Sequence, residues 1–376
     1  MEHQNIWQNT NPVKLFGLLK KDDFNEQLCY YQSGVGTYVN PGMVSPLLEW
    51  GAKVLDEAFA IFLNDHVMDG YRFLMDNYRA GDKICIFGFS RGSYTARALA
   101  GMLHKVGLLP RDNQEQVPFA YKMYQKTSAA GIELAAGYKQ TFCQTVQVDF
   151  LGIWDTVSSV GVIMSRTLPY TSVNSSVKTF RHAVALDEHR VRFQPYLLEP
   201  KPQSNGKTSD EPYSGPTDTL EVWFSGCHTD IGGGSVVNSV ARSLADITLR
   251  WMVRQIMAST CDVRFDPAAL RAAGIPTDAA SSNETAVEDA DSSEPLDDDL
   301  AGVSGWWLLE VFPLIWPVQN IKGAWHNKFG FHLGKGRTII DPNPKFHYTV
   351  KERMANSALK YRPKAQWTAG TEVYVE

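Results

Sequence analysis

The sequence predicts an α/β fold, a mostly parallel central sheet with helices on both faces. Three observations carry that prediction. Short, unbroken apolar runs bounded by turn residues recur along the chain: KICIFG (Lys83 to Gly88), TVQVDFLGI (Thr145 to Ile153) and TLEVWF (Thr219 to Phe224). Such runs fit strands buried on both faces. Segments with apolar residues at helical spacing separate them, as crossover connections between parallel strands require. The chain is also long enough, at 376 residues with 44% hydrophobic content, to bury a large core.

Taken in order, Glu26 to Gln32 (EQLCYYQ) reads as a strand, followed by a turn at Ser33 to Gly36. Pro46 to Tyr78 reads as a helix broken near Asn64, and Arg79-Ala80-Gly81-Asp82 ends it. The strand Lys83 to Gly88 follows, then a helix over Ser93 to Val106 with Ala96, Leu99, Ala100 and Leu103 on its apolar face. After the strand Thr145 to Ile153, the stretch Val177 to Asp187 reads as a helix. Thr219 to Phe224 is the third strong strand, and Val240 to Ser259 reads as a helix. From Asp278 to Leu300 the chain is acidic, Ser-rich and poor in large apolar groups, so a disordered insertion is expected there. The whole chain, 1–376, is otherwise expected to form a single domain.

Composition excludes several classes. A net charge of -5 and the lack of an aromatic-basic stripe argue against a nucleic-acid binder. The five cysteines (Cys29, Cys85, Cys143, Cys227, Cys261) are scattered and form no CxxC pair, so neither a zinc site nor a disulfide framework is expected. A reducing, cytoplasmic home fits that pattern. The polar opening Met1 to Asn11 carries no leader-like apolar core. The longest apolar stretch, GWWLLEVFPLIWPV (Gly305 to Val318), is too short to span a bilayer and reads as a buried or interfacial segment. Neither Gly232-Gly233-Gly234 nor GFHLGKG (Gly330 to Gly336) has P-loop spacing, so no nucleotide or other cofactor is expected.

The chemistry is concentrated in Gly88-Phe89-Ser90-Arg91-Gly92, a G-x-S-x-G pentapeptide between a buried strand and a helix. That context lifts a serine hydroxyl above the sheet on a sharp turn, with glycines where side chains would collide. The helix N-terminus then supplies free N–H groups for a developing oxyanion, the Arg91 N–H first. Ser90 is therefore the candidate nucleophile, and it needs a base oriented by an acid. Asp155, just past one strand, and His228, just past another, occupy the sheet edge where open α/β sheets place their sites. Asp230 is the alternative acid, and His347 the alternative base. His182 and His189 read as structural histidines. Arg91 and Arg97 flank the nucleophile, where either an anionic head group or an ion pair accounts for them. Trp306 to Leu314 reads as a core helix, with a lid or membrane-facing wedge as the functional alternative.

Four blocks together resemble a known family: IFGFSRGSYTARALAGMLHKVGLL (Ile86 to Leu109), FLGIWDTVSSVG (Phe150 to Gly161), RHAVALDEHRVRFQP (Arg181 to Pro195) and VWFSGCHTDIGGG (Val222 to Gly234). The chain resembles the type VI secretion phospholipase-effector-like α/β-hydrolase catalytic domain family from about Asn11 to Met354. Its WWLLE segment is closer to fungal-like members. The resemblance implies a lipase or phospholipase fold with Ser90 as nucleophile and Asp155 and His228 as acid and base. One departure stands out. The family opens on an apolar strand and a D-G-T-x-N-like loop, of which only Thr10-Asn11 and Lys14-Leu15 have counterparts here. A sheet edge without a partner and an incomplete oxyanion site are expected from that departure.

Two functions follow. The first is a serine hydrolase acting on carboxylic esters, a lipase or phospholipase, with a lipid or small ester as partner, peripheral membrane contact and no nucleic acid. The second is a catalytically inactive hydrolase-like scaffold.

Overall fold

The computed structural model describes residues 8–34, 48–157, 168–172, 174–198, 216–276, 290–302, 306–319 and 325–376. Six strands form the central sheet: β1 (Ile84–Phe89), β2 (Val148–Trp154), β3 (Val177–Ala185), β4 (Asp218–Phe224), β7 (Lys345–His347) and β8 (Val373–Val375). They lie in the spatial order β1-β2-β3-β4-β7-β8, and every neighbouring pair is parallel. A separate antiparallel hairpin joins β5 (Leu314–Gln319) to β6 (Trp325–Gly330). This is the mixed α/β architecture the apolar runs predict.

Alternation along the central strands divides the core in two. On β2, Leu151 and Ile153 face one cluster, while Phe150 and Trp154 face the other. The first face is covered by α2 (Leu48–Asn77), α3 (Arg91–Val106), α4 (Val117–Gln125) and α5 (Ala129–Phe142). The second is covered by α1 (Asn11–Leu18), the short α6 (His228–Gly232) and α7 (Leu244–Ala258). Fully burying one such aliphatic or aromatic side chain contributes roughly 1.5–3 kcal/mol. Two filled faces therefore hold the strand ends, and the site built on them, in fixed positions.

Several elements differ from expectation. Val177–Ala185 is a central strand, not a helix. Lys178 and Arg181 at helical spacing and the two alanines suggest a helix, but Val177, Thr179, Phe180 and Val184 suit the buried position between β2 and β4. The strand's polar residues are satisfied sideways: Arg181 pairs with Asp218, and His182 Nδ1 lies 2.8 Å from Glu221 Oε1. Glu26 to Gln32 forms no strand. Gln27 instead bonds the backbone of Lys20 and Arg264, and Tyr30 stacks on Phe73 with ring centroids 4.8 Å apart. The helix α2 continues through Asn64, whose Oδ1 accepts the Tyr121 hydroxyl at 2.6 Å. Trp306 to Leu314 is not a core helix. It forms the short α8 (Trp306–Val311) and the start of the β5–β6 hairpin.

The acidic insertion falls partly outside the described residues, at 278–289. Residues 290–300 depart from the expected disorder. Asp291 is buried against Arg250, Asp299 pairs with Arg190, Asp298 pairs with Lys364, and Leu300 is buried. The carboxylates that make this run look disordered are consumed as counter-charges.

Among the described residues, β1 pairs with β2 alone and stands at the sheet edge. A Cβ at Gly88 would lie 2.5 Å from the Gly92 carbonyl oxygen and 2.8 Å from Ser93 N, which are backbone atoms with no room to yield. Gly88→Ala is expected to lower stability by about 1–3 kcal/mol, read as a shifted urea midpoint. An unchanged midpoint would show that the turn is not packed this tightly.

Candidate active site

The strand-to-helix turn forces Ser90 into an unusual backbone conformation, with φ 59° and ψ -125°. A non-glycine residue held there costs on the order of 1–3 kcal/mol. The surroundings impose it. Ser90 N donates to Trp154 O at 3.0 Å, and Ser93 Oγ bonds both Gly88 O and Trp154 O at 2.8 and 2.9 Å. The turn is thereby tied to the end of β2. Ser90 precedes α3, so its hydroxyl and the Arg91 N–H both sit at the N-terminus of a 16-residue helix.

His228 begins α6, directly after β4. Cys227 caps that helix, and the Asp230 carboxylate accepts Cys227 N at 2.9 Å in a reciprocal capping box. The ring is fixed between two aromatics, Phe89 at 4.6 Å and Phe193 at 4.9 Å between centroids. Its Nε2 lies 2.8 Å from Ser90 Oγ, and its Nδ1 lies 2.6 Å from Asp155 Oδ2. An ionised carboxylate only accepts, so Nδ1 carries the proton and Nε2 is free to accept from the serine hydroxyl.

Asp155 follows β2 with φ 35° and is completely buried. Arg337, also buried, grips it with both amino groups: Nη1 on Oδ1 at 2.6 Å and Nη2 on Oδ2 at 3.0 Å. The Ala185 N–H adds a bond to Oδ1 at 2.9 Å. Burial alone pushes the Asp155 carboxyl up. The Arg337 guanidinium and the His228 contact outweigh burial and hold it well below the usual carboxylate range. Asp155 is therefore held in its ionised form.

The structure thus brings Ser90, His228 and Asp155 into one chain of hydrogen bonds, and leaves the alternatives out of it. Asp230 accepts Cys227 N and Asp297 N, and burial pushes its carboxyl up to about 8 against those two bonds. His347 is buried on β7, stacked on Phe224, with Nδ1 2.8 Å from Thr349 Oγ1. His182 accepts Thr156 N at 3.1 Å, and His189 contacts Asp298 and Gly334. Arg97 is buried, and donates to the carbonyls of Thr171 and Tyr196 at 2.5 and 2.6 Å, so it holds loops together.

Residues the sequence did not single out complete the site. Glu188 Oε2 accepts His228 N at 3.2 Å while pairing with Arg190, whose guanidinium lies 3.7 Å from the Phe193 ring centre. Phe193 closes one side of the His228 ring. These residues lie inside one of the family-like blocks, which is the signal that points to them. Arg337 lies in none, and a lone arginine in GKGRT carries no pattern.

A cavity of about 1250 Å³ opens at Ser90. It runs along the exposed edge of β1, between α1, α2 and the segment around Tyr30, and Phe16, Leu19, Phe73, Leu74 and Phe89 line it together with Lys83, Arg91, Arg111 and Arg264. Thr10 lines it too, while its neighbour Asn11 is buried and bonds Ile231 O and Ala245 O at 3.0 and 2.9 Å. The Thr10-Asn11 pair therefore sits beside the site.

The family model for the type VI secretion system phospholipase effector Tle1-like catalytic domain matches residues 1–255. The chain belongs to that family. An uncharacterized protein of Saccharomyces cerevisiae is 37% identical over 207 residues, covering 51% of this chain and 30% of that relative. The chain thus corresponds to under a third of the relative's length. Two solved structures are similar at a distance. One is an uncharacterized protein from Pseudomonas aeruginosa, at 17% identity and a TM-score of 0.38, covering 73% of this chain and 46% of that one. The other is the Tle1 effector bound to the VgrG spike of the type VI secretion system, at 16% identity and a TM-score of 0.40, covering 86% and 80%. The Ser90–His228 pair and family membership support a serine-hydrolase type of activity. No helix among the described residues is long and apolar enough to cross a membrane.

Arg337→Gln strips Asp155 of its cation and is expected to cost about 3–5 kcal/mol of stability at neutral pH. A carboxyl whose folded pKa is depressed contributes stability above its unfolded value, near 4, and loses it as pH falls further. In the wild type this loss begins only below about pH 4. In the variant, with the carboxyl raised by burial, the sign reverses, and stability should rise as pH falls from 7 toward 4. Urea melts of both proteins between pH 4 and 7 check this, and parallel pH profiles would show that Arg337 does not set the ionisation of Asp155.

Proposed function

We propose that this protein is a carboxylic-ester hydrolase, of lipase or phospholipase type, acting through an acyl-enzyme. The observation that carries the reading is the continuous relay from Ser90 Oγ to His228 to Asp155, at 2.8 and 2.6 Å. Ser90 attacks the ester carbonyl as His228 Nε2 takes its proton. Asp155 stabilises the imidazolium, and the Arg91 N–H at the start of α3 receives the developing oxyanion. His228 returns the proton to the departing alcohol. Water, deprotonated by the same imidazole, then releases the acid.

The cavity beside Ser90 favours an ester with an apolar acyl part. Its aromatic and aliphatic side chains accommodate a hydrocarbon, and polar and charged ones line it beside them. Family membership inclines the reading toward lipids. The yeast relative favours a fungal-type member, and the scattered cysteines of the sequence favour a cytoplasmic setting.

A fluorophosphonate probe should label the wild type and leave Ser90→Ala unlabelled. Hydrolysis of p-nitrophenyl esters should fall by about three orders of magnitude or more in Ser90→Ala and His228→Ala. Equal labelling of wild type and Ser90→Ala, or no ester hydrolysis by the wild type, would leave the inactive scaffold as the better description.

A further inference from the structure

The β5–β6 hairpin has an inner face and an outer face. Leu314, Trp316 and Val318 point inward, onto Val191 and Leu309. Ile315 and Phe329 are direct cross-strand partners on the outer face and are 54% and 71% exposed. The residues flanking the hairpin continue the apolar surface: Val311, Phe312, Phe331 and Leu333 are all exposed. Scattered exposed apolar residues need no explanation, but a concentration on one small element does.

Charge separates the candidate occupants. The chain as a whole carries -5. Across the described residues from 306 to 337, the acid present is Glu310, which is buried against His332. The exposed ionisable side chains there are His326, Lys328 and Lys335. An acidic protein thus presents an apolar face with the cations Lys328 and Lys335 at its margin, complementary to anionic headgroups over hydrocarbon. The face is also joined to the site. Phe193 packs on Trp306 of α8 at 5.5 Å and on the His228 ring at 4.9 Å. Glu310, from the same helix, accepts Val191 N at 2.6 Å and Gly334 N at 2.9 Å.

We propose that the outer face of the β5–β6 hairpin, with Phe312, Phe331 and Leu333, is a docking surface for an anionic phospholipid bilayer. That surface is linked to the Ser90–His228 pair through Trp306 and Phe193. The purpose of the surface rests on the hydrolase reading, but the binding does not. Full-length Ser90→Ala protein should co-sediment with phosphatidylcholine vesicles containing phosphatidylserine, and added salt should weaken the binding. Adding Ile315→Asp and Phe329→Asp should reduce it about ten-fold or more, since one withdrawn aromatic side chain is worth roughly that factor. The same two substitutions in the active protein should leave hydrolysis of a soluble short-chain ester unchanged. Failure of Ser90→Ala to sediment, or equal sedimentation of the substituted protein, would overturn the proposal. So would a concentration-dependent dimer that these substitutions dissociate and vesicles do not compete with. Vesicle binding is read without turnover, so a missing esterase activity would sink the hydrolase reading separately.

Discussion

The buried ion pair between Asp155 and Arg337 is the constraint on which the site depends. A carboxylate removed from water needs a cation fixed against it, and a guanidinium meets both of its oxygens at once. Arg337 does more than neutralise. It also donates to Ala185 O at 2.9 Å and Phe193 O at 2.6 Å. One side chain thereby ties the end of β3, the acid that orients His228 and the loop whose phenyl ring packs on His228. Two of the contacts that hold the imidazole, from Asp155 and from Phe193, converge on this residue.

The same logic extends outward. Glu188 is buried against Arg190, Asp291 against Arg250, and Arg353 donates to the carbonyls of Ser292 and Glu294. Buried charges cost little when each is paired and hydrogen-bonded, and a great deal otherwise. The polar interior therefore specifies which segments meet. The acidic stretch 290–300 has a fixed place because the cations on α7, on α9 (Tyr348–Ala355) and around Arg190 require it.

Much of this was legible in the sequence, for physical reasons. The strands carrying Ser90, Asp155 and His228 are aliphatic and aromatic runs bounded by turn residues, and each side chain falls at a strand end, so the linear order already places them on one sheet edge. Where the reading failed, tertiary contacts had overruled local pattern. Val177–Ala185 contains alanines and charges at helical spacing, and its position between two strands makes it extended. The strands β7 and β8, of three residues each, are too short to show a period. Arg337 was invisible because its partner lies 182 residues away and no local spacing encodes the pair.

That separation has a consequence for how the molecule comes into being. Synthesis delivers the turn with Ser90, then Asp155, then His228, while the guanidinium emerges more than a hundred residues afterwards. A nascent chain paused between those points holds the three reactive groups around an acid whose countercharge has yet to be translated. The hydroxyl gains its organised surroundings only when the segment carrying Arg337 has closed over the sheet. Maturation of the centre is therefore coupled to translation past Arg337.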